Sequence, residues 1–114
     1  YYKALKPLEN QGVIELPYIP NDCIHNAHMF YFKCKNLETR QQFISFMKEK
    51  GVLCVFHYVP LHSATAGIKF GRFFGIDKYT TAESDKLVRL PMYYNLEKKD
   101  FKYIIDCIME FFNK

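Results

Sequence analysis

The sequence lacks a long apolar run. No stretch approaches the roughly 20 consecutive apolar residues that a membrane-spanning helix requires, which argues against a membrane partner. The chain begins with Tyr1 and Tyr2 instead of an initiator Met, and it has no signal-peptide core. We therefore expect a cytoplasmic protein and a natural polypeptide that extends beyond Tyr1.

The sequence also lacks a basic stripe, an internal repeat and a glycine-rich phosphate loop of the Walker or Rossmann type. Its formal net charge is only +4, and the lysines and arginines are interleaved with acidic residues. A nucleic-acid backbone requires clustered cations, so nucleic acid is not an expected partner.

What is present is a high apolar and aromatic content. The 114 residues are 49% hydrophobic and include 11 Phe and 9 Tyr, which fits one globular domain with one core. At least two of the four cysteines lie inside apolar runs, where a thiol serves as a small buried hydrophobe. We therefore expect reduced cysteines and a single domain over residues 1–114.

Periodicity predicts the order of the elements. A first segment with helical spacing ends before Gly12 and is expected to be the tail of a connecting helix over residues 1–12. A strand, a helix and a strand follow at His28–Cys34, Leu37–Lys50 and Val52–Tyr58, after a short strand candidate at Val13–Leu16. The order indicates an α/β (α+β) fold in which helices pack on a short mixed or antiparallel sheet.

The second half of the chain is less regular. Residues 59–78 contain three glycines and a proline and are expected to form a long structured loop, with a turn around Ile68–Phe74. Thr80 and Glu83 fit a capping box for a helix that ends near Val88. Leu90–Tyr93 is expected to be a brief extended segment at a sheet edge, followed by a terminal helix from about Glu97.

Histidines and cysteines suggest two kinds of chemistry, both weakly. A zinc site could combine two residues of one group with a member of the other, the groups being Cys23, His25 and His28 and the pair His57 and His62. The spacing matches no zinc finger, however, and we expect no metal. Alternation along the strand would instead place His28 on the same face as Phe30 and Phe32. A Cys54–His57 nucleophile is also weak, because the two residues would point to opposite faces of a strand.

The most informative segment is Phe56–His62, where a predicted strand ends and passes two imidazoles and a phenol to a loop stiffened by Pro60. Loops that leave a sheet edge commonly bind ligands. The alternative is that Tyr58 and His62 only hydrogen-bond the following loop. The residues alone leave both possibilities open.

A family resemblance adds to this pattern. Four segments occur in the order seen in sugar aminotransferases of the DegT/DnrJ/EryC1/StrS family: Leu16-Pro17, Asn26–Phe30, Gly51-Val52 followed by His57–His62, and Leu90–Tyr93 followed by Leu96 and an amphipathic helix. The chain therefore resembles the C-terminal part of such an enzyme over nearly its whole length.

The resemblance implies the small C-terminal domain of a fold-type I enzyme that depends on pyridoxal 5'-phosphate (PLP). The implied reaction moves an amino group from glutamate to the 4-keto carbon of a dTDP-sugar, usually in a homodimer. It leaves open whether the product sugar enters lipopolysaccharide, a common antigen or a secondary metabolite. The Schiff-base lysine and most of the PLP contacts would lie outside this chain.

The resemblance also suggests which residues face the nucleotide-sugar. His57, Tyr58 and His62 are the first candidates for substrate binding, and Asn26 and His28 are the second. Each has a simpler interpretation, as a turn former, a strand residue or a contact to another domain. A different class of function stays possible as well, namely a free-standing module that binds nucleotide-sugars or a protein without catalysis.

Overall fold

The structure is a computed structural model that describes residues 1–113. The chain combines five helices with three strands within residues 1–113, which confirms the α/β (α+β) class expected from the strand, helix, strand order. The elements are α1 (Tyr2–Asn10), β1 (Phe30–Lys33), α2 (Leu37–Glu49), β2 (Val55–Phe56), α3 (Thr65–Phe70), α4 (Thr80–Lys86), β3 (Leu87–Leu90) and α5 (Lys98–Phe112), with a 3-10 turn at Leu61–Ser63.

The sheet has β3 at its centre. β1 and β2 both pair with it antiparallel, in the order β1-β3-β2. Phe32 lies opposite Val88 on the face that points into the core, whereas Arg89 lies opposite both Tyr31 and Val55. Residues directly opposite each other share a face, so these last three side chains lie on the face away from the core.

Local sequence determines where α1 and α2 end. The Asn36 side chain accepts a hydrogen bond from the Thr39 amide at 2.8 Å and caps α2 at its start. Gly51 follows α2 and Gly12 follows α1, with φ values of +75° and +70°, a conformation that glycine adopts without a steric cost. Both predicted helices are confirmed.

One apolar core lies between the sheet and helices α1, α2 and α5. Phe32 and Phe43 are fully buried at its centre, with ring centroids 5.2 Å apart in an edge-to-face arrangement. The predicted single core is confirmed. Its buried members are Leu5, Leu8, Ile14, Leu16, Phe32, Cys34, Phe43, Met47, Val52, Cys54, Val88, Leu90, Ile104, Cys107 and Ile108.

The capping box predicted at Thr80 is wrong. Thr80 makes no capping hydrogen bond, and α4 has Tyr79 at its N-cap position. The Asp77 carboxylate instead accepts a hydrogen bond from the Thr81 amide at 3.2 Å. Glu83 points toward β1, where its carboxylate lies 2.7 Å from the Lys33 ammonium. The ion pair with a neighbouring strand replaces the local contact.

The prediction of an edge segment at Leu90–Tyr93 is also wrong. The extended segment is Leu87–Leu90, and it is the central strand of the sheet. α4 ends at Lys86 because Val88 and Leu90 are buried in the core as alternate residues of β3. Pro91 comes immediately after the last paired residue, where its missing N–H leaves no gap in the ladder.

Three strands are shorter than expected and one loop is more regular. β1 begins at Phe30, β2 spans only Val55–Phe56, and Val13–Leu16 contributes a single bridge between Glu15 and Lys33. The predicted loop at residues 59–78 contains the 3-10 turn and then α3, which overlaps the first three residues of the turn expected at Ile68–Phe74.

Candidate functional site

The segment that leaves β2 is attached to α4. The Tyr58 carbonyl accepts a hydrogen bond from the Ser84 hydroxyl at 2.6 Å. Two residues later Pro60 begins the 3-10 turn, and its carbonyl accepts hydrogen bonds from the amide and the hydroxyl of Ser63, both at 3.0 Å. These contacts give the His57–His62 segment a defined path although it lies outside the sheet.

His62 is oriented by an acidic partner. Its Nε2 lies 2.9 Å from Asp77 Oδ2 and 3.4 Å from the Thr81 hydroxyl, and its ring centroid is 4.5 Å from that of Phe73. Hydrogen bonds from the Thr81 side chain and backbone, together with the nearby His62, keep the pKa of Asp77 below its usual value of 3.8. The carboxylate is therefore ionised at neutral pH and holds the Nε2–H, which leaves Nδ1 as the second polar atom of the ring.

The rings of His57 and Tyr58 pack against each other at the start of the His57–His62 segment. Their centroids are 4.6 Å apart with a steep interplanar angle of 65°. Tyr58 is 67% exposed, whereas the Nδ1 atom of His57 is buried and has no hydrogen-bond partner among residues 1–113. A buried imidazole nitrogen without a partner is costly, so His57 is an unsatisfied polar group beside the exposed Tyr58 ring.

Two adjoining cavities lie on either side of the 3-10 turn. They measure about 550 and 570 Å³ and share Leu61 and Thr80 in their walls. Apolar side chains dominate both walls, with a few polar groups between them, as in typical small-molecule sites. His62, Phe70, Arg72 and Phe73 line the first cavity, and His57, Tyr58, Pro60 and Ser84 line the second.

Asn26 and His28 lie apart from this pair of cavities. They bond to each other, with His28 Nδ1 2.7 Å from Asn26 Oδ1, and both are exposed. Ala27 between them has a φ of +51°, which bends the chain sharply. The prediction that His28 shares a strand face with Phe30 is wrong, because β1 begins only at Phe30 and His28 stays in the preceding bend.

Arg89 links the two groups of predicted residues. Its guanidinium carbon lies 5.9 Å from the centroid of the Tyr58 ring. It also lines a third cavity of about 250 Å³, to which His28, Met29 and Val55 contribute. The five predicted residues therefore occupy two neighbouring regions with an arginine between them, and only His57, Tyr58 and His62 line the two larger cavities.

Sequence reasoning missed four contacts of the site: Ser84, Asp77, Thr81 and Arg89. For Arg89 a signal exists, since an alternating reading of Leu87–Leu90 places it on the face opposite the apolar Val88 and Leu90. No local pattern indicates that Asp77 meets His62, because the contact depends on how α3 folds back.

Neither a metal centre nor a membrane span is found in the part of the chain that the structure describes. Within residues 1–113, no three His, Cys, Asp or Glu side chains come together as metal ligands. Over the same residues, no helix combines the length and the apolar character needed to cross a membrane.

Solved structures share the fold at low sequence identity. The NtdA protein of Bacillus subtilis, whose structure holds the cofactor PMP, is 21% identical over 100% of this chain, with a TM-score of 0.80. DesV of S. venezuelae, solved with a ketimine intermediate, is 21% identical over 98% of the chain with a TM-score of 0.78. A DegT DnrJ EryC1 StrS aminotransferase of Brucella abortus is 23% identical over 100% of the chain with a TM-score of 0.72.

This chain spans only 26%, 30% and 29% of the length of these three proteins, respectively. The fold is therefore that of one part of an aminotransferase. Residues 1–109 match the sequence model of the DegT/DnrJ/EryC1/StrS aminotransferase family. The chain belongs to this family, as its four motifs predicted.

Proposed function

We propose that residues 1–114 are the C-terminal small domain of a PLP-dependent aminotransferase, with residues 1–12 as the end of a connecting helix. The enzyme transfers an amino group from glutamate to the 4-keto carbon of a dTDP-4-keto-6-deoxyhexose. The observation that carries the proposal is the family match over residues 1–109, together with the cavities at the end of β2.

Longer strings within the family motifs support the proposed substrate. The strings resemble those of dTDP-4-amino-4,6-dideoxygalactose transaminase, at His25–Tyr31, at Phe56–His62 and at Arg89–Pro91 followed by Tyr94–Leu96. That similarity is the reason for proposing a dTDP-linked sugar and a C4 amination.

The proposed work of this chain is to bind and orient the nucleotide-sugar. Tyr58 offers an exposed phenol, and His62 offers an imidazole whose orientation Asp77 fixes at 2.9 Å. Polar groups held in an apolar wall discriminate strongly, because an analogue that lacks the matching hydroxyl leaves them unpaired. His57 belongs to the same wall, while Asn26 and His28 are proposed to contact the substrate from the neighbouring bend.

The described residues do not by themselves fit PLP. When bound, PLP supplies an electron sink for the transferred amino group. No lysine lines either of the two larger cavities, and Lys33 and Lys50 are paired with glutamates. We therefore place the PLP site in the part of the enzyme outside this chain, and no step of the chemistry is assigned to a lysine here.

Exposed apolar side chains support the proposed homodimer. Leu61, Phe70 and Phe74 are 76%, 79% and 97% exposed and lie in or beside the first cavity. Neighbouring large apolar side chains of this kind are rarely left in water. We propose that the remainder of the enzyme and a second subunit cover them, and that neither nucleic acid nor a membrane is a partner.

The test is an assay of the full-length protein that contains this sequence. It should bind PLP, and with glutamate it should convert dTDP-4-keto-6-deoxyglucose to an amino sugar nucleotide detected by mass spectrometry. His62→Ala should lower kcat/KM for the nucleotide-sugar about tenfold or more, since a hydrogen bond to a polar substrate group is lost. The absorption of bound PLP should be the same in His62→Ala as in the wild type.

Thr65→Ala is a suitable control, because Thr65 is exposed at the start of α3 and lines neither cavity. Unaltered kinetics for both Tyr58→Phe and His62→Ala would contradict the site assignment. A full-length protein of 13.6 kDa that binds nucleotide-sugars without PLP would instead establish the binding-module alternative.

A further inference from the structure

Arg89 occupies the middle of the sheet face that points away from the core. It belongs to the central strand, and its neighbours across the sheet are Tyr31 on one side and Val55 on the other. All three side chains are half-buried. A cation at this position is therefore partly removed from water by both flanking strands.

The Arg89 guanidinium has no anionic partner among the described residues. Its Nε atom is buried and makes no hydrogen bond within residues 1–113. By contrast, Lys33 and Lys50 each lie within 2.8 Å of a glutamate carboxylate. A half-buried charge without a counter-charge is unfavourable, so the face is incomplete without an anion.

The surroundings of Arg89 restrict where that anion would lie. The Tyr58 ring lies to one side at 5.9 Å, and the cavity of about 250 Å³ that Arg89 shares with His28 lies beside it. No acidic residue lines this cavity. A planar guanidinium binds two oxygens of a carboxylate or phosphate at once, which a point charge does not.

We propose that Arg89 binds a substrate oxyanion in the cavity that it shares with His28. The proposal rests on the proposed function and deepens it, because it assigns the chain a charge-recognition residue that sequence reasoning missed. Two substrates carry such a group, namely the diphosphate of the nucleotide-sugar and a carboxylate of the amino donor. Both offer the same chemistry to the guanidinium.

The experiment uses the full-length holoenzyme and two unreactive probes, dTDP and glutarate, titrated by calorimetry. Arg89→Met should weaken binding of one probe by about 10- to 100-fold, the range expected when a charged hydrogen-bonding partner is lost. Loss of dTDP binding assigns the diphosphate, and loss of glutarate binding assigns the carboxylate. Arg89→Lys should recover part of the affinity, because it keeps the charge but not the paired donors.

Lys48→Met is the matched control, since it removes an exposed cation from α2 and should change neither dissociation constant. If Arg89→Met folds and binds both probes like the wild type, the proposal is overturned. If Arg89→Met does not fold, Arg89→Lys decides, and unchanged affinities for both probes overturn the proposal.

The probe-binding experiment and the amination assay can fail independently, so failure of the oxyanion site is distinguishable from failure of the proposed function. A wild-type enzyme that aminates no nucleotide-sugar contradicts the proposed reaction, whereas the effect of Arg89→Met on probe binding still reports on the oxyanion site. An active wild type with unaltered probe binding in both variants contradicts the oxyanion site alone.

Discussion

At the scale of single residues, burial determines which thiols are available for chemistry. Cys34 and Cys54 are each 3% exposed, and burial raises the pKa of both thiols to about 12. Cys23 is exposed, and its thiol lies 3.8 Å from Asp22 Oδ1. A nucleophilic role for Cys54 is therefore disfavoured, since the thiolate is the reactive form.

The thiols should label in a fixed order. At pH 8 an alkylating reagent should modify Cys23 first, while Cys34 and Cys54 react only after unfolding. Their folded pKa values exceed the ordinary value of 9.0, so their contribution to stability is complete below pH 9 and is lost as the pH rises toward about 12. Mass spectrometry of the labelled peptides is the measurement. Equal native rates for Cys23 and Cys54 would show that the core opens readily, and labelling in urea is the control.

Single residues also show how far the sequence predicts the site. Two imidazoles and a phenol after a strand indicated a ligand wall, and the structure places all three residues in the walls of the cavities. Their role in binding stays a prediction. The partner of His62 could not be anticipated, because Asp77 reaches it only after the intervening chain folds back. Tertiary contacts of this kind leave no periodic signal.

At the scale of elements, the 3-10 turn and α3 fit together through one glycine. A β-carbon at Gly67 would lie 1.6 Å from the carbonyl oxygen of Leu61, far inside van der Waals contact. Replacing a glycine inside a helix with alanine normally stabilises the helix by about 1 kcal/mol. Here the clash with a backbone atom outweighs that gain, since no flexible side chain can move away.

Gly67→Ala should therefore separate α3 from the turn that carries His62. We expect a destabilisation of about 1–3 kcal/mol, as for overpacked sites, and a loss of nucleotide-sugar turnover. Thermal unfolding and the amination assay measure the two effects. Thr65→Ala in the same helix is exposed and should change neither. A Gly67→Ala enzyme that is more stable than the wild type would show that helix propensity dominates and that this close contact does not exist.

The elements that the sequence predicts best are those whose apolar residues recur at a regular helical spacing. α2 and α5 bury one apolar face each, and their limits agree with prediction within a residue or two. β3 was misassigned because Leu87 and Val88 are compatible with both a helix and a strand. Its pairing with Phe32 of β1 and Val55 of β2 makes the segment a strand. Pairing between distant segments is not visible in a local pattern.

At the scale of the whole molecule, stability depends on a compact aromatic cluster. Phe43 packs against Phe32, Phe111 and Phe112, with ring centroids 5.2, 5.3 and 5.6 Å away. It thereby joins α2 to β1 and α5. Composition alone predicted a single core, but the sequence did not indicate which phenylalanines would occupy its centre and which would stay exposed.

Phe43→Ala should cost about 3–5 kcal/mol of unfolding free energy, a large part of the 5–15 kcal/mol typical of a domain. Urea unfolding followed by circular dichroism is the measurement. Ile24→Ala is the control. Because Ile24 is 99% exposed, this variant should unfold at the wild-type urea midpoint. A Phe43→Ala midpoint equal to that of Ile24→Ala would contradict the assigned core.

The central position of β3 has a consequence for synthesis on the ribosome. β1 and β2 are translated first, but neither pairs with the other, and both wait for Leu87–Leu90. Translation from β2 to β3 takes on the order of seconds at cellular elongation rates. During that interval the nascent polypeptide presents two unpaired strand edges, which chaperones recognise and which favour aggregation. Slow codons between α3 and β3 would prolong this exposure, whereas slow codons after β3 would not.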